Sequence, residues 1–116
     1  MSKYVIRFDP EYFATSLWTV SDSARDEFGC DIAYENLPLS KQLVERLEKF
    51  DDKVMDIIDW SEPNGDSPMT IEERRALYRE GQELMVAVID ELGSDFEVID
   101  CLDWINPDKQ DTSSRS

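Results

Sequence analysis

The sequence predicts a small α+β domain in which two long amphipathic helices pack on an antiparallel or mixed sheet of three to four strands. Two stretches carry apolar residues at helical spacing, and shorter runs of strand character lie before and after them. A loop rich in turn-forming residues separates the two helical stretches. Hydrophobic residues make up 41% of the 116-residue chain, which is enough for one core. We expect residues 1–105 to form a single domain and residues 106–116 to be a polar, disordered tail.

The first third of the chain is predicted to be mostly strand. Lys3–Phe8 alternates between its two faces, which is the pattern of a half-buried strand. Two further short strands are predicted at Ser16–Val20 and Cys30–Glu35. The polar segment Ser21–Gly29 between them is predicted to be a short helical turn or a loop, closed by Gly29.

The two long helices follow. The first is predicted to begin after Ser40, whose hydroxyl can accept from the free amides of the first turn, and to extend to about Asp59. The second is predicted to begin at a capping box formed by Thr70 and Glu73, and to end at Gly93. Both carry an apolar stripe at the spacing of a core-facing helix.

Three further features concern packing. Gly81 lies on the buried face of the second helix, where its missing side chain predicts close approach by a neighbour. Phe96–Leu102 has apolar residues on both faces, so we expect it to be a central strand. Cys30 and Cys101 lie far apart in apolar or alternating segments, so we expect reduced, buried cysteines.

Charge and composition exclude several function classes. The net charge is −15, and a ligand such as nucleic acid or an anionic membrane would need a basic patch that the sequence does not show. The chain has no histidine, which removes the commonest general base and the commonest zinc ligand. We therefore expect no catalytic residue, no cofactor and no metal. Met1–Asp9 lacks the apolar core of a signal peptide, and no apolar run approaches a membrane span, so we expect a cytoplasmic protein.

Acidic residues collect on one side of the first helix and in the loop after it. At about 100° per residue, the acids of the first helix fall in one stripe roughly opposite the apolar face: Glu45, Glu48, Asp52, Asp56 and Asp59. Like charges four residues apart repel, and acids at the C-terminal end of a helix oppose its dipole by roughly 0.3–1 kcal/mol. We predict that these side chains bind a partner, although solubility alone is an alternative. The predicted acidic surface consists of Glu48, Asp52, Asp56, Asp59, Trp60, Glu62 and Asp66.

Two chemical alternatives concern the same residues. A calcium-binding EF-hand loop with Gly65 at its sixth position would place Ile71 at the twelfth, where glutamate is required. A carboxylate pair such as Asp56 and Asp59 could serve glycoside hydrolysis, but that chemistry requires a concave site. Trp60 is either a core residue or an interface anchor among the acids.

The chain resembles the small bacterial immunity proteins of contact-dependent growth inhibition and related polymorphic toxin systems. The resemblance covers roughly residues 34–100. It is carried by the segment Tyr34-x-x-Leu37-Pro38-Leu39-Ser40, by Asp59-Trp60 with Pro63 nearby, and by Leu92-Gly93 followed by Phe96-Glu97-Val98. It implies a cytoplasmic protein that binds one cognate toxin domain, often a basic nuclease, and covers its active site. It carries no individual site residue onto this chain.

The resemblance and the charge lead to one functional prediction. We expect a non-catalytic immunity protein that neutralises a cognate, basic toxin domain, possibly a nuclease, through its acidic surface. A DNA mimic or regulatory adaptor is the first alternative. A small enzyme with a carboxylate site is the second.

Overall fold

The computed structural model describes residues 3–59, 61, 62, 65 and 67–107. Within these residues the sheet has three strands, β1 (Tyr4–Phe8), β2 (Leu17–Thr19) and β3 (Phe96–Asp100). β1 lies in the centre, antiparallel to β2 and parallel to β3. The predicted α+β class with a small mixed sheet is confirmed.

The alternation predicted for the first strand places its core side chains. Ile6 and Phe8 are fully buried, and Ile6 pairs with Thr19 of β2 and with Val98 of β3. The polar segment after β2 forms helix α1 (Asp22–Phe28), which begins at the cap residue Ser21. β1, β2 and α1 therefore lie within the segments where the sequence predicts two strands and a helical turn.

The third predicted strand, Cys30–Glu35, is wrong. Only Asp31 forms a bridge, opposite Trp18 of β2, and the chain then turns through a 3-10 helix over Tyr34–Asn36. This turn buries the Tyr34 and Leu37 side chains, which an extended strand would carry past the core. The apolar alternation of Ile32 and Tyr34 does reflect burial of both side chains, but the chain leaves the extended conformation between them.

The two long helices are α2 (Lys41–Met55) and α3 (Ile71–Leu92). Ser40 caps α2, and the capping box of Thr70 and Glu73 is present at the start of α3. α2 ends before the predicted Asp59. The amides of Asp56 and Ile57 already donate to carbonyls three residues back, a tightened final turn that buries Ile57.

The helices pack on each other, and α3 also contacts β3. Phe50 of α2 reaches the sheet, where its ring lies 6.0 Å from that of Phe8. A Cβ atom on Gly81 would lie 2.9 Å from Leu102 Cδ2 and 3.0 Å from Phe50 Cζ. The close approach predicted at Gly81 is confirmed.

The last predicted strand is an edge strand, so its predicted central position is wrong. β1 already takes a partner on each side, which leaves β3 at the edge of the sheet. Ile99 is 38% exposed because it points to the face of the sheet away from the helices. The expected burial of cysteine is also wrong for Cys30, which is exposed, whereas Cys101 is half-buried. Both thiols are free.

The chain after β3 is fixed to the body of the protein. Arg74 donates from Nε to the Ile105 carbonyl (2.9 Å) and from Nη2 to the Trp104 carbonyl (2.7 Å). The Trp104 indole donates to the carbonyl of Pro10 (3.1 Å). Leu102 and Ile105 are fully buried. Residues 108–116, most of the predicted tail, lie outside the described residues.

We expect Gly81→Ala to destabilise the protein by about 1–2 kcal/mol. Overpacking a closed core costs roughly 1–3 kcal/mol, and the better helix propensity of alanine returns about 1 kcal/mol at most. Urea denaturation would measure the change. Gln82→Ala, the next and exposed position of α3, is the matched control and should stay within about 0.5 kcal/mol. Equal stability of the Gly81→Ala variant and the wild type would show that Phe50 and Leu102 can move away from a Cβ atom at this position without cost.

Candidate functional site

The acidic surface lies on the outer side of α2 and on the turn that follows it. Glu48 and Asp52 are exposed on α2, and the exposed Asp56 is its C-terminal cap. Asp59 is half-buried and Glu62 is exposed in the turn. The remaining two predicted members, Trp60 and Asp66, lie outside the described residues.

The described carboxylates of this surface, Glu48, Asp52, Asp56, Asp59 and Glu62, lie outside the salt bridges that join described residues. The salt bridges within the described residues join Arg7 to Asp9, Arg25 to Asp22 and Lys53 to Glu80. None of them ends on a described member of the acidic surface. Lys53, the base in the last turn of α2, pairs with Glu80 of α3, with 2.8 Å between Nζ and Oε1.

Asp59 differs from the other members because it holds the turn together. Its Oδ1 accepts from the backbone N–H of Ser61 (3.0 Å) and from the Ser61 hydroxyl (2.6 Å). These hydrogen bonds lower the pKa of the Asp59 carboxyl below its ordinary value, since they favour the ionised form. Asp59 therefore has a local structural role, whereas Glu48, Asp52 and Asp56 have no such bond among the contacts described.

Glu48 and Asp52 open into a cleft of about 570 Å³, which we call the Phe13 cleft. It lies between α2, the 3-10 helix and the loop before β2. Phe13 stands on one side, in that loop. Five lining residues are acidic and none is Lys or Arg; the acids are Asp31, Glu35, Glu48, Asp51 and Asp52. Asp56 instead lines a second cleft of about 370 Å³ beside Lys53 and the start of α3.

The floor of the Phe13 cleft is a hydrogen-bonded group centred on Asp51. One carboxylate oxygen accepts from the Ser16 hydroxyl and the other from the Tyr34 hydroxyl, both at 2.6 Å. The Tyr34 oxygen also accepts from the backbone N–H of Ser16 (2.9 Å). The group joins α2 to the loop before β2 and to the 3-10 helix.

Burial changes the acidity of this group. Desolvation raises the pKa of Asp51 to about 6, although the two hydroxyl donors oppose the shift. Burial, and then the charge of Asp51, also raise the pKa of the Tyr34 phenol. With a pKa of about 6, Asp51 exchanges its proton in mildly acidic solution, while the raised pKa of Tyr34 keeps its phenol protonated there.

Phe13 is the most exposed of the large hydrophobic side chains in the described residues, with 78% of its surface accessible. Its backbone has a φ of +63°, a left-handed conformation that a bulky residue rarely adopts. Its amide donates to the Met55 sulfur at the end of α2 (3.3 Å). The loop therefore presents an aromatic ring beside the cleft from a position tied to the helix.

A comparison with known families decides what kind of protein this is. The model of the Serratia CdiI immunity protein-like family matches residues 4–101, from the first residue of β1 to just beyond β3. The chain belongs to this family. The resemblance to immunity proteins of contact-dependent growth inhibition is thereby confirmed, and the match contains α2, its acids and the Phe13 cleft. No curated protein matches the chain.

The surfaces of this immunity protein-like chain suit charged and aromatic contacts. In the part of the chain that the structure describes, no three Cys, Asp or Glu side chains are grouped to hold a metal ion. None of the described helices combines the length and hydropathy of a membrane span. Among the described residues, this region presents the exposed carboxylates of Glu48, Asp52 and Asp56 and the exposed side chain of Phe13.

The sequence prediction missed two residues of this site. Asp51 is not among the predicted members, although it continues the spacing of the buried Leu47 and Phe50. An acid within a core-facing stripe is the signal that could have found it. Phe13 gave no signal, because nothing in a short loop indicates which way an aromatic side chain points.

The Asp51 pKa predicts a pH-dependent difference between the wild type and Asp51→Asn. The folded pKa of about 6 exceeds the ordinary value of 3.8, so the folded state binds more protons in between, and stability falls as pH rises towards and through 6. Between pH 5 and pH 8 we expect the wild type to lose about 1 kcal/mol relative to Asp51→Asn.

Urea denaturation of both proteins at several pH values would measure this difference. Asp52→Asn removes the same charge from an exposed neighbour, so its stability should stay parallel to the wild type over that range. Parallel curves for wild type and Asp51→Asn would contradict a buried, proton-exchanging carboxylate.

Proposed function

We propose that this protein is a non-catalytic immunity protein that binds a cognate, basic toxin domain and neutralises it through its acidic surface. The observation that carries the proposal is the set of exposed carboxylates on α2, Glu48, Asp52 and Asp56, none of which is in a salt bridge among the described residues. Membership of an immunity protein-like family supports a binding role directed at a toxin.

The proposed mechanism has two steps: electrostatic attraction brings the cationic toxin domain to the immunity protein, and the bound immunity protein then covers the cationic groups of the toxin. A net charge of −15 attracts a cationic domain from a distance, and the acids exposed on one side of α2 and at its C-terminal end would orient the encounter. If the toxin is a nuclease, its cationic groups are positioned for phosphates, and carboxylates can occupy the same positions. Direct binding of nucleic acid by the immunity protein is disfavoured by the same field.

The position of the acids argues for binding rather than for solubility. Solubility requires only net charge, which can be spread over any exposed surface. Asp56 instead lies at the C-terminal cap of α2, where the helix dipole opposes a negative charge by roughly 0.3–1 kcal/mol. Glu48 and Asp52 repel each other at a spacing of four residues. A cationic partner would relieve both unfavourable interactions.

The proposal also places the protein in the cytoplasm of the cell that makes the toxin, where an immunity protein meets toxin that has entered. The specificity of the pair would come from contacts that only the cognate domain completes, since unpaired carboxylates left at a mismatched interface lose their hydration without compensation.

We expect reversal of three charges, Glu48→Lys, Asp52→Lys and Asp56→Lys together, to weaken binding of the cognate toxin domain by about a hundredfold or more. Loss of several attractive pairs lowers mainly the association rate and reduces the salt dependence of that rate. Surface plasmon resonance at several salt concentrations would measure both. Asp59 is left intact because it holds the turn.

The matched control reverses three exposed acids elsewhere, Glu83, Asp90 and Glu97, and changes the net charge by the same amount. If charge acted only globally, control and test variants would bind equally weakly, and the acidic surface would not be the binding site. Circular dichroism would verify that both variants are folded.

A further inference from the structure

Three side chains form one hydrogen-bonded set at the floor of the Phe13 cleft, and we call them the Asp51 group: Ser16, Asp51 and Tyr34. Each carboxylate oxygen of Asp51 accepts from one hydroxyl, that of Ser16 or that of Tyr34, at 2.6 Å. The three residues belong to the loop before β2, to α2 and to the 3-10 helix. The protonation state of a single carboxyl therefore affects how three elements are held together.

The geometry of the Asp51 group is that of an ionised carboxylate. Hydroxyl donors approach charged oxygens to about 2.5–2.7 Å, and such bonds are roughly twice as strong as bonds between neutral groups. A proton on Asp51 would remove the charge and turn one of its oxygens into a donor that competes with a hydroxyl. The Tyr34 phenol keeps its own hydrogen, because burial raises its pKa. The Asp51 group thus ties the three elements most strongly when Asp51 is ionised.

The surroundings of Asp51 oppose that ionised form. Burial, and then the charges of Asp52 and Glu48, raise the pKa of Asp51, to about 6. Asp31 and Glu35 line the same cleft from the side of the 3-10 helix, and the lining residues of the loop before β2 carry no titratable group. Every charged side chain among the described lining residues is therefore negative. A positive charge brought to this place would reverse the balance.

We propose that the Asp51 group makes binding of the toxin proton-linked: a positive surface set against Glu48 and Asp52 drives the proton off Asp51, and the affinity for the toxin therefore falls as the solution becomes acidic. The proposal rests on the proposed function and adds to it a regulation by pH. It uses Asp51, which is not a member of the acidic surface but lies between two of its members on α2.

Binding of the toxin acts on Asp51 in two opposite ways. Covering the cleft removes the water that remains near the carboxyl, which favours the protonated form, whereas a nearby positive charge favours the ionised form. The first effect is the smaller one, because both carboxylate oxygens already bond hydroxyls in place of water. The second is large, because charges interact more strongly in a partly buried cleft than in bulk water. The net result is that the proton leaves Asp51 for the buffer.

The direction of the pH dependence follows from this proton release. Below about pH 6 the free protein carries a proton on Asp51, and binding must remove it, which lowers the affinity. Above that pH the carboxyl of the free protein is already ionised, so the affinity levels off. We expect Kd to rise about fivefold or more between pH 7 and pH 5 in the wild type, beyond any change seen in Asp51→Asn.

Isothermal titration calorimetry with the purified cognate toxin domain measures the released proton directly. Titrations at pH 6 in phosphate and in imidazole, two buffers of different ionisation enthalpy, give the number of protons released for each toxin domain bound. The wild type should release about 0.3–0.5 proton more than Asp51→Asn, since groups of the toxin contribute equally to both. Glu35→Gln is the matched control, because it removes an exposed charge from the same cleft and leaves the Asp51 group intact. It should release as many protons as the wild type.

Ser16→Ala tests the hydrogen-bonded group itself. This variant keeps Asp51 but removes a donor that favours the ionised carboxylate, so the pKa of Asp51 should rise. We expect the pH at which the affinity begins to fall to be higher than in the wild type, as measured by Kd from pH 5 to pH 8. Circular dichroism would verify that each variant is folded, and Ser16→Ala serves alone if Asp51→Asn does not fold.

The outcomes separate the two proposals. Toxin binding with equal proton release by the wild type and Asp51→Asn, or an unchanged pH midpoint in Ser16→Ala, would overturn the proton linkage and leave the proposed function standing. Proton uptake by the wild type relative to Asp51→Asn would also overturn the linkage, because loss of water would then outweigh the positive charge. A wild type that does not bind the toxin at neutral pH would overturn the proposed function, and the linkage with it.

Discussion

The carboxylate of Asp51 links α2 to the loop before β2 and to the 3-10 helix. A partly buried acid loses hydration, and the hydroxyls of Ser16 and Tyr34 replace water at 2.6 Å each. These bonds cross between elements far apart in sequence, so the loop before β2, the 3-10 helix and α2 cannot move independently. The exposed acids of α2 and the ring of Phe13 therefore have a fixed relation.

The sequence predicted those elements whose rules are local. The capping box at Thr70, the stop at Gly93 and the alternation of β1 depend on a few neighbouring residues, and all three are present. Gly81 was also predictable, because a glycine on a buried helix face weakens the helix unless a neighbour packs into the space it leaves. The end of α2 could not be predicted in this way, because the tightened last turn accompanies burial of Ile57 in the core.

The errors in the fold and the gaps in the site share one cause. The segment 30–35 alternates as a strand does, but whether it pairs along its length depends on where Tyr34 must be buried. The position of β3 depends on which strand takes two partners, and the apolar character of Ile99 says nothing about that. Asp51 and Phe13 obtain their roles from partners distant in the chain. In each case the local sequence is compatible with more than one arrangement, and contacts with distant parts of the chain decide which one forms.

The described acids of α2 and of the turn after it differ in whether they have hydrogen-bond donors within the chain. Asp51 is satisfied by hydroxyls and Asp59 by the turn at Ser61, so both are accounted for within the chain. Glu48, Asp52 and Asp56 repel each other or oppose the helix dipole, and the one base in the last turn, Lys53, bonds Glu80 of α3 instead. Under the proposed function, a positive surface of the toxin brought against α2 would replace this repulsion by attraction.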